Sequence, residues 1–101
     1  MKDFPDEEQI WIKHINNAFD FPFKAKVIEW QEPGTIVLQG DVLNVHAISD
    51  FDEKYGILVN TRFGRKKVVF PLLDLEPMHM NEKQKQILED YGEWFINSRL
   101  T

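Results

Sequence analysis

TIVLQGDVLNVHAISDFDEKYGILVNTRFGRKKVVFPLLDLE, residues 35–76, is the stretch that decides the fold. It contains three segments rich in β-branched and aromatic residues, at 35–49, 55–63 and 66–76. Gly64 separates the last two segments and is typical of a tight turn. Short β-rich segments joined by tight turns predict an antiparallel sheet.

The residues before this stretch extend the sheet. KAKVIEW, residues 24–30, alternates and is β-rich, and EPG at 32–34 is typical of a turn. Gly40 lies near the middle of the segment 35–49, where a glycine predicts a bulge or a sharp bend. We expect five strands, arranged as a small bent antiparallel sheet or as an SH3-like β-barrel.

Helices are predicted at both ends of the chain. The first runs from about Pro5 to Ala18, with Pro5 at the first helical position, where its missing N–H costs nothing. The second starts at Asn81, a good N-cap, and Gln84 three residues later completes a capping box. The expected fold class is therefore α+β, with a sheet or barrel flanked by an N-terminal and a C-terminal helix.

Composition limits the possible functions. The chain has 101 residues, which fits a single domain over residues 1–101, and its formal net charge is −5. It contains no cysteine, which excludes disulfides, zinc–thiolate sites and thiol catalysis. No apolar run approaches the roughly 20 residues of a transmembrane helix, and the acidic N-terminus is unlike a signal peptide. We expect a cytoplasmic protein without a membrane partner.

Four blocks of sequence resemble a known family. They are FPFKA (21–25), DEKYGILV (52–59), GRKKVVFPLLDLE (64–76) and DYGEWFIN (90–97). Together they resemble the small bacterial calcium-binding family typified by the cyanobacterial calcium-binding protein. The resemblance implies a helix-flanked small β-barrel with an acidic surface, and calcium binding outside any EF-hand. It assigns no individual ligand in this sequence.

Three carboxylates fall within four positions in the acidic hairpin, defined as Asp50, Asp52 and Glu53. Three carboxylates this close repel one another, and a divalent cation with oxygen ligands would relieve that repulsion. The spacing does not match an EF-hand loop, because Lys54 and Thr61 fall where oxygen ligands are required. The alternative interpretation is a solvated turn whose acids carry no ligand.

Three further acids are candidate contributors to a metal site. Asp74 and Glu76 alternate with leucines at the end of a strand pattern, and Asp41 follows the bend at Gly40. Each of them also fits the exposed face of an ordinary amphipathic strand.

Other chemistry has less support in the sequence. The three histidines have no metal-ligand spacing to one another, and no nucleophile elbow or phosphate loop is present, so we expect no enzyme activity. Arg62, Arg65, Lys66 and Lys67 form a basic hairpin tip, but the overall negative charge makes nucleic acid an unlikely partner.

The sequence therefore predicts a non-EF-hand calcium-binding protein that acts as a low-affinity buffer or sensor. The alternative is an SH3-like module that binds a protein partner and has no metal function.

Overall fold

The computed structural model describes residues 7–99, which form two compact units: a helical unit (residues 7–20 and 80–99) and a sheet unit (residues 21–79). The elements in chain order are α1 (Glu7–Ala18), β1 (Phe23–Val27), β2 (Val42–Asp52), β3 (Gly56–Phe63), β4 (Lys66–Pro71), a 3-10 helix (Leu72–Asp74), β5 (Leu75–Pro77) and α2 (Glu82–Ser98). No helix among the described residues combines the length and apolar character that crossing a bilayer requires.

The five strands form one antiparallel sheet in the order β4-β3-β2-β1-β5. Within residues 7–99 the edge strands β4 and β5 do not pair with each other, so the sheet is open. The α+β class and the antiparallel sheet are confirmed, and the expectation of an SH3-like barrel is wrong. Barrel closure requires hydrogen bonds between the two edge strands, and these edges stay apart.

The sheet is nevertheless bent. Pro71 ends β4 and Leu75 begins β5, so four Cα steps, at most about 15 Å, connect the two edges. A flat five-stranded sheet would hold its edge strands about 19 Å apart. β2 also carries register shifts between Val45 and Ala47 and between Ile48 and Asp50, and such bulges increase strand twist.

Three predicted strands have different bounds in the structure, and the first of them, predicted at 24–30, is β1 at Phe23–Val27. Residues 35–41 form turns and bends rather than a strand, and Gly40 has a φ of 95° within a turn. Ile36 and Leu38 in this segment are exposed, whereas Val37 between them is buried, and the β-branched composition alone did not specify a strand. The segment 66–76 divides into β4 and β5 because the 3-10 helix interrupts it.

The core of the sheet unit lies on one face of the three central strands. Its members are fully buried or nearly so: Ala25, Val27, Leu43, Val45, Ile57, Val59 and Thr61. They alternate with exposed residues along each strand, as expected for a sheet with one buried face. Thr61 is accommodated because its hydroxyl donates a 2.7 Å hydrogen bond to the carbonyl oxygen of Val68.

In the helical unit the predicted capping box is present. The Asn81 side chain accepts from the N–H of Gln84 at 2.8 Å, and the Gln84 side chain accepts from the N–H of Asn81 at 3.0 Å. The Gln84 side-chain amide also donates to the Ala18 carbonyl at 3.0 Å, which connects α2 to the end of α1. Pro5, predicted at the start of the first helix, lies outside the described residues.

Candidate functional site

The acidic hairpin lies at the end of β2 and in the turn that follows it. Asp50 pairs with Leu58 and Asp52 with Gly56 in the β2–β3 ladder, and Glu53 is the first residue of the turn. Gly56 has a φ of 80°, a left-handed conformation that side-chain-bearing residues rarely adopt. The glycine therefore allows the chain to reverse directly after the three acids.

Two of these carboxylates have local hydrogen bonds. Oδ2 of Asp52 accepts from the backbone N–H of Lys54 at 2.8 Å and of Tyr55 at 2.9 Å, and Oδ1 of Asp50 accepts from the N–H of Phe51 at 2.8 Å. Asp52 thus stabilises the turn, which is a structural role that acidic turn residues often have. Its Oδ1 takes no part in these hydrogen bonds and keeps lone pairs for a further ligand.

A second group, the acidic strand end, is defined as Glu29, Asp41 and Asp74. Asp41 and Asp74 lie on opposite sides of the end of β1, since the Asp41 carbonyl accepts from the N–H of Val27 at 2.8 Å and the Asp74 carbonyl from the N–H of Ile28 at 2.9 Å. Two strand spacings, about 10 Å, separate their backbones. Oδ2 of Asp41 accepts from the N–H of Leu38 at 2.9 Å, which leaves Oδ1 outside that contact.

The fold raises the pKa of the Asp74 side chain. Partial burial raises the pKa of its carboxyl group, and the nearby Glu29 carboxylate raises that pKa further. The negative form of Asp74 is therefore disfavoured by its surroundings. A cation beside these two side chains would reverse that effect, because opposite charge favours the ionised form.

The sequence patterns did not single out Glu29, the carboxylate that the structure places near Asp74. It follows β1 and is exposed, and its neighbour in space, Asp74, lies 45 positions later in the chain. Its position in the alternating segment KAKVIEW is the only sequence pattern that points to Glu29. That pattern does not connect it with Asp74, because only the β1–β5 pairing brings the segment beside residue 74.

Glu76 lies in β5 directly opposite Lys26 of β1. Oppositely charged residues at facing positions stabilise a pair of strands modestly. The positive charge of Lys26 lowers the negative potential that Glu76 could offer a metal ion.

The six predicted ligands thus lie in two places. Asp50, Asp52 and Glu53 lie at the end of β2, whereas Asp41, Asp74 and Glu76 lie near its start. Asp41 immediately precedes the strand, while Asp50 and Asp52 lie in its last residues. Within residues 7–99 no group of three or more carboxylate or imidazole side chains is already arranged around a single point. The donor set nevertheless fits calcium, which accepts carboxylate, carbonyl and water oxygens in flexible geometry, so side-chain rotation would have to complete a coordination shell.

These features define a class: a small α+β protein with an open antiparallel sheet between two helices in sequence and carboxylates grouped at strand ends. Residues 1–95 match the model of the CcbP family, which is described as calcium binding. The chain belongs to this calcium-binding family, so the resemblance noted in the sequence is confirmed.

Two solved structures share the fold. The crystal structure of Anabaena CcbP aligns with a TM-score of 0.68 at 18% identity, over 91% of this chain and 78% of that one. A calcium-binding protein in its calcium-binding form aligns with a TM-score of 0.69 at 17% identity, over 95% of this chain and 82% of that one. No curated protein gives a significant match to the sequence.

Proposed function

We propose that this protein binds Ca²⁺ reversibly at the acidic strand end, as a low-affinity buffer or sensor of the non-EF-hand type. Membership of the calcium-binding family carries the proposal, and the partial burial of Asp74 beside the Glu29 carboxylate, which raises the Asp74 pKa, supports the placement at the acidic strand end. Without a cation, the two carboxylates repel each other in partly desolvated surroundings. A divalent ion between them converts that repulsion into attraction.

Asp41 is the third proposed contributor, since it lies on the other side of the β1 end. Calcium takes six to eight oxygen ligands, so backbone carbonyls and water would supply the remainder. Few carboxylates at a partly exposed position place the affinity near the weak end of the protein range, with a Kd of roughly 10⁻⁴–10⁻³ M.

The acidic hairpin is the second candidate position. Asp50, Asp52 and Glu53 have the right chemistry, and the first two keep carboxylate oxygens outside their turn hydrogen bonds. We place it second because Asp52 already stabilises the turn, so that metal binding would compete with two backbone hydrogen bonds. Glu76, opposite Lys26, is the weakest of the six candidates.

The proposal is for a binding protein rather than an enzyme, and for action in the bacterial cytoplasm. A sensor would pass its calcium-bound state to a protein partner, whereas a buffer needs none. Membership of a calcium-binding family favours this function over a protein-interaction module without a metal.

The test is calorimetric titration of metal-free protein with CaCl₂ at constant ionic strength. Glu29→Gln/Asp74→Asn removes two charges from the acidic strand end, and Asp50→Asn/Asp52→Asn removes two from the acidic hairpin. The matched control is Glu89→Gln/Glu93→Gln on the exposed face of α2. It removes the same two negative charges, but at positions that lie far in sequence from the acidic strand end and from the acidic hairpin.

We expect a binding isotherm for the native chain and the control, and a loss of about tenfold or more in affinity for Glu29→Gln/Asp74→Asn. If only Asp50→Asn/Asp52→Asn weakens binding, the acidic hairpin is the site and the placement at the strand end is wrong. A flat trace for the native protein at millimolar calcium would remove the functional proposal altogether.

A further inference from the structure

A basic depression lies on the outer face of the β3–β4 hairpin, within the sheet unit. Its volume is about 440 Å³. The residues that line it are His46, Asn60, Thr61, Arg62, Lys67, Val68 and Val69. None of them is an aspartate or a glutamate, although the chain has 17 acidic residues against 12 lysines and arginines.

The strand register explains why these side chains meet. Arg62 of β3 lies directly opposite Lys67 of β4, and Asn60 lies directly opposite Val69. Facing positions in an antiparallel pair project to the same side of the sheet, so all four side chains share one face. All four residues are exposed, which identifies this as the solvent face of the hairpin.

His46 joins the group from β2, which is the other neighbour of β3 in the sheet. The ladder pairs Val45 with Thr61 and Ala47 with Asn60, which leaves His46 as the extra residue. His46 follows the buried Val45 and is itself exposed, so regular alternation turns the imidazole to the solvent face, where it lines the depression beside residues of β3.

Within the described part of the chain, the two facing cations lack a compensating partner. Among residues 7–99 neither Arg62 nor Lys67 forms an ion pair or a side-chain hydrogen bond. Like charges that face each other across a ladder destabilise the pair of strands. An anionic group bound between them would offset that cost.

The depression also has an apolar part and an open edge. The Val69 side chain is 55% exposed. In the sheet formed by the described residues β4 is an edge strand, so one row of its backbone groups faces no other strand of that sheet. An extended peptide that binds such an edge presents every second side chain to the same sheet face. In a peptide of alternating acidic and apolar residues, the acidic side chains would fall on the face of Arg62 and Lys67, and the apolar ones on the opposite face, to which Val68 and Phe70 project.

We propose that the basic depression binds an extended peptide segment of another protein in which acidic and apolar residues alternate. A nucleic acid fits less well, because the net charge of −5 repels a polyanion and the lining offers no phenylalanine, tyrosine or tryptophan on which a base would stack. This site is separate in residues from both groups of carboxylates, so it stands independently of calcium binding.

The test uses fluorescence anisotropy with a fluorescein-labelled peptide of three Glu-Val repeats, and a Gln-Val peptide of equal length as the neutral probe. Measurements are made in EDTA, because an acidic peptide would itself bind calcium. Arg62→Gln/Lys67→Gln removes the facing cations and relieves their repulsion, so the variant is expected to fold. Arg65→Gln/Lys66→Gln makes the same charge change on the same hairpin outside the lining, and is the matched control.

We expect the native protein to bind the Glu-Val peptide and not the Gln-Val peptide. Affinity should fall about tenfold in Arg62→Gln/Lys67→Gln and stay within about twofold in the control, since two partly exposed charge pairs contribute on that scale. Equal losses in both variants would show general electrostatic attraction and overturn the site.

Two further outcomes would also overturn the proposal. Absence of peptide binding at millimolar concentration would mean that the lysines of β4 serve only to prevent edge-to-edge association. Tighter binding of a labelled single-stranded oligonucleotide, lost in Arg62→Gln/Lys67→Gln, would assign the depression to nucleic acid instead.

Discussion

Replacing Asp74 by asparagine is expected to change stability in opposite directions without and with calcium. In the metal-free protein burial and the Glu29 carboxylate disfavour the ionised side chain, so the neutral amide removes an unfavourable charge. Within residues 7–99 the Asp74 side chain makes no hydrogen bond that the substitution would remove. Asp74→Asn should therefore be as stable as the native protein in EDTA, or more stable.

The effect of calcium follows from linkage. With a Kd of roughly 10⁻⁴–10⁻³ M, 10 mM calcium is about 10–100 times Kd and stabilises the native protein by roughly 1.4–2.7 kcal/mol. For a chain of this size each kcal/mol raises Tm by about 4–8 °C, which gives a rise of about 6–20 °C. Asp74→Asn should lose most of that rise, because it removes the carboxylate that a bound ion would neutralise.

The assay is thermal unfolding followed by circular dichroism, in EDTA and in 10 mM CaCl₂ at matched ionic strength. Asp50→Asn is the control, since it removes one charge from the acidic hairpin and should keep the full calcium-dependent rise. Magnesium at the same concentration tests selectivity, because its smaller octahedral shell is a poorer match to a flexible site.

One pair of results would refute the reasoning. If Asp74→Asn lowers Tm in EDTA, its carboxylate stabilises the metal-free fold and the electrostatic argument is wrong. If it leaves the calcium-dependent rise unchanged, Asp74 does not contribute to the site, whatever its effect on the metal-free protein.

Three further measurements test the structure more broadly. The raised pKa of Asp74 means that the folded protein binds a proton at this carboxyl group more tightly than the unfolded chain does. In EDTA, the stability of the native protein relative to Asp74→Asn should therefore increase as the pH falls towards the ordinary aspartate pKa of 3.8. A difference in urea midpoints that does not change with pH would contradict this prediction. Asn81→Ala breaks the capping box and should cost about 1 kcal/mol in urea unfolding, whereas no loss would mean that the box is not formed in solution. Leu43→Ala, at a position with 0% exposure, should cost about 2–5 kcal/mol, and a cost below 1 kcal/mol would contradict its burial in the sheet core.

The local elements were the most predictable part of the fold. The capping box at Asn81 and Gln84 follows from hydrogen bonds between residues three apart, so the sequence contains all of it. β3 was predicted at 55–63 and found at Gly56–Phe63, because its alternation and its bounding glycines are also local. Segment 35–49 was overextended by seven residues at its start, since its β-branched residues before Val42 have no pairing strand.

The candidate sites needed information that lies far apart in the chain. The acidic hairpin was visible because its three acids are neighbours in sequence. Glu29 and Asp74 were not recognised as a pair, and neither were Arg62 and Lys67, since only strand register places them side by side.

By itself the sequence determined the α+β class, the order of helices and strands, the family and the kinds of ligand atom available, because these depend on composition, periodicity and short-range hydrogen bonds. The tertiary structure alone decided that the sheet stays open and which charged groups lie together. The physical reason is that electrostatic interaction depends on distance in space, and in this protein β-sheet pairing brings residues as far apart as 29 and 74 within range of each other.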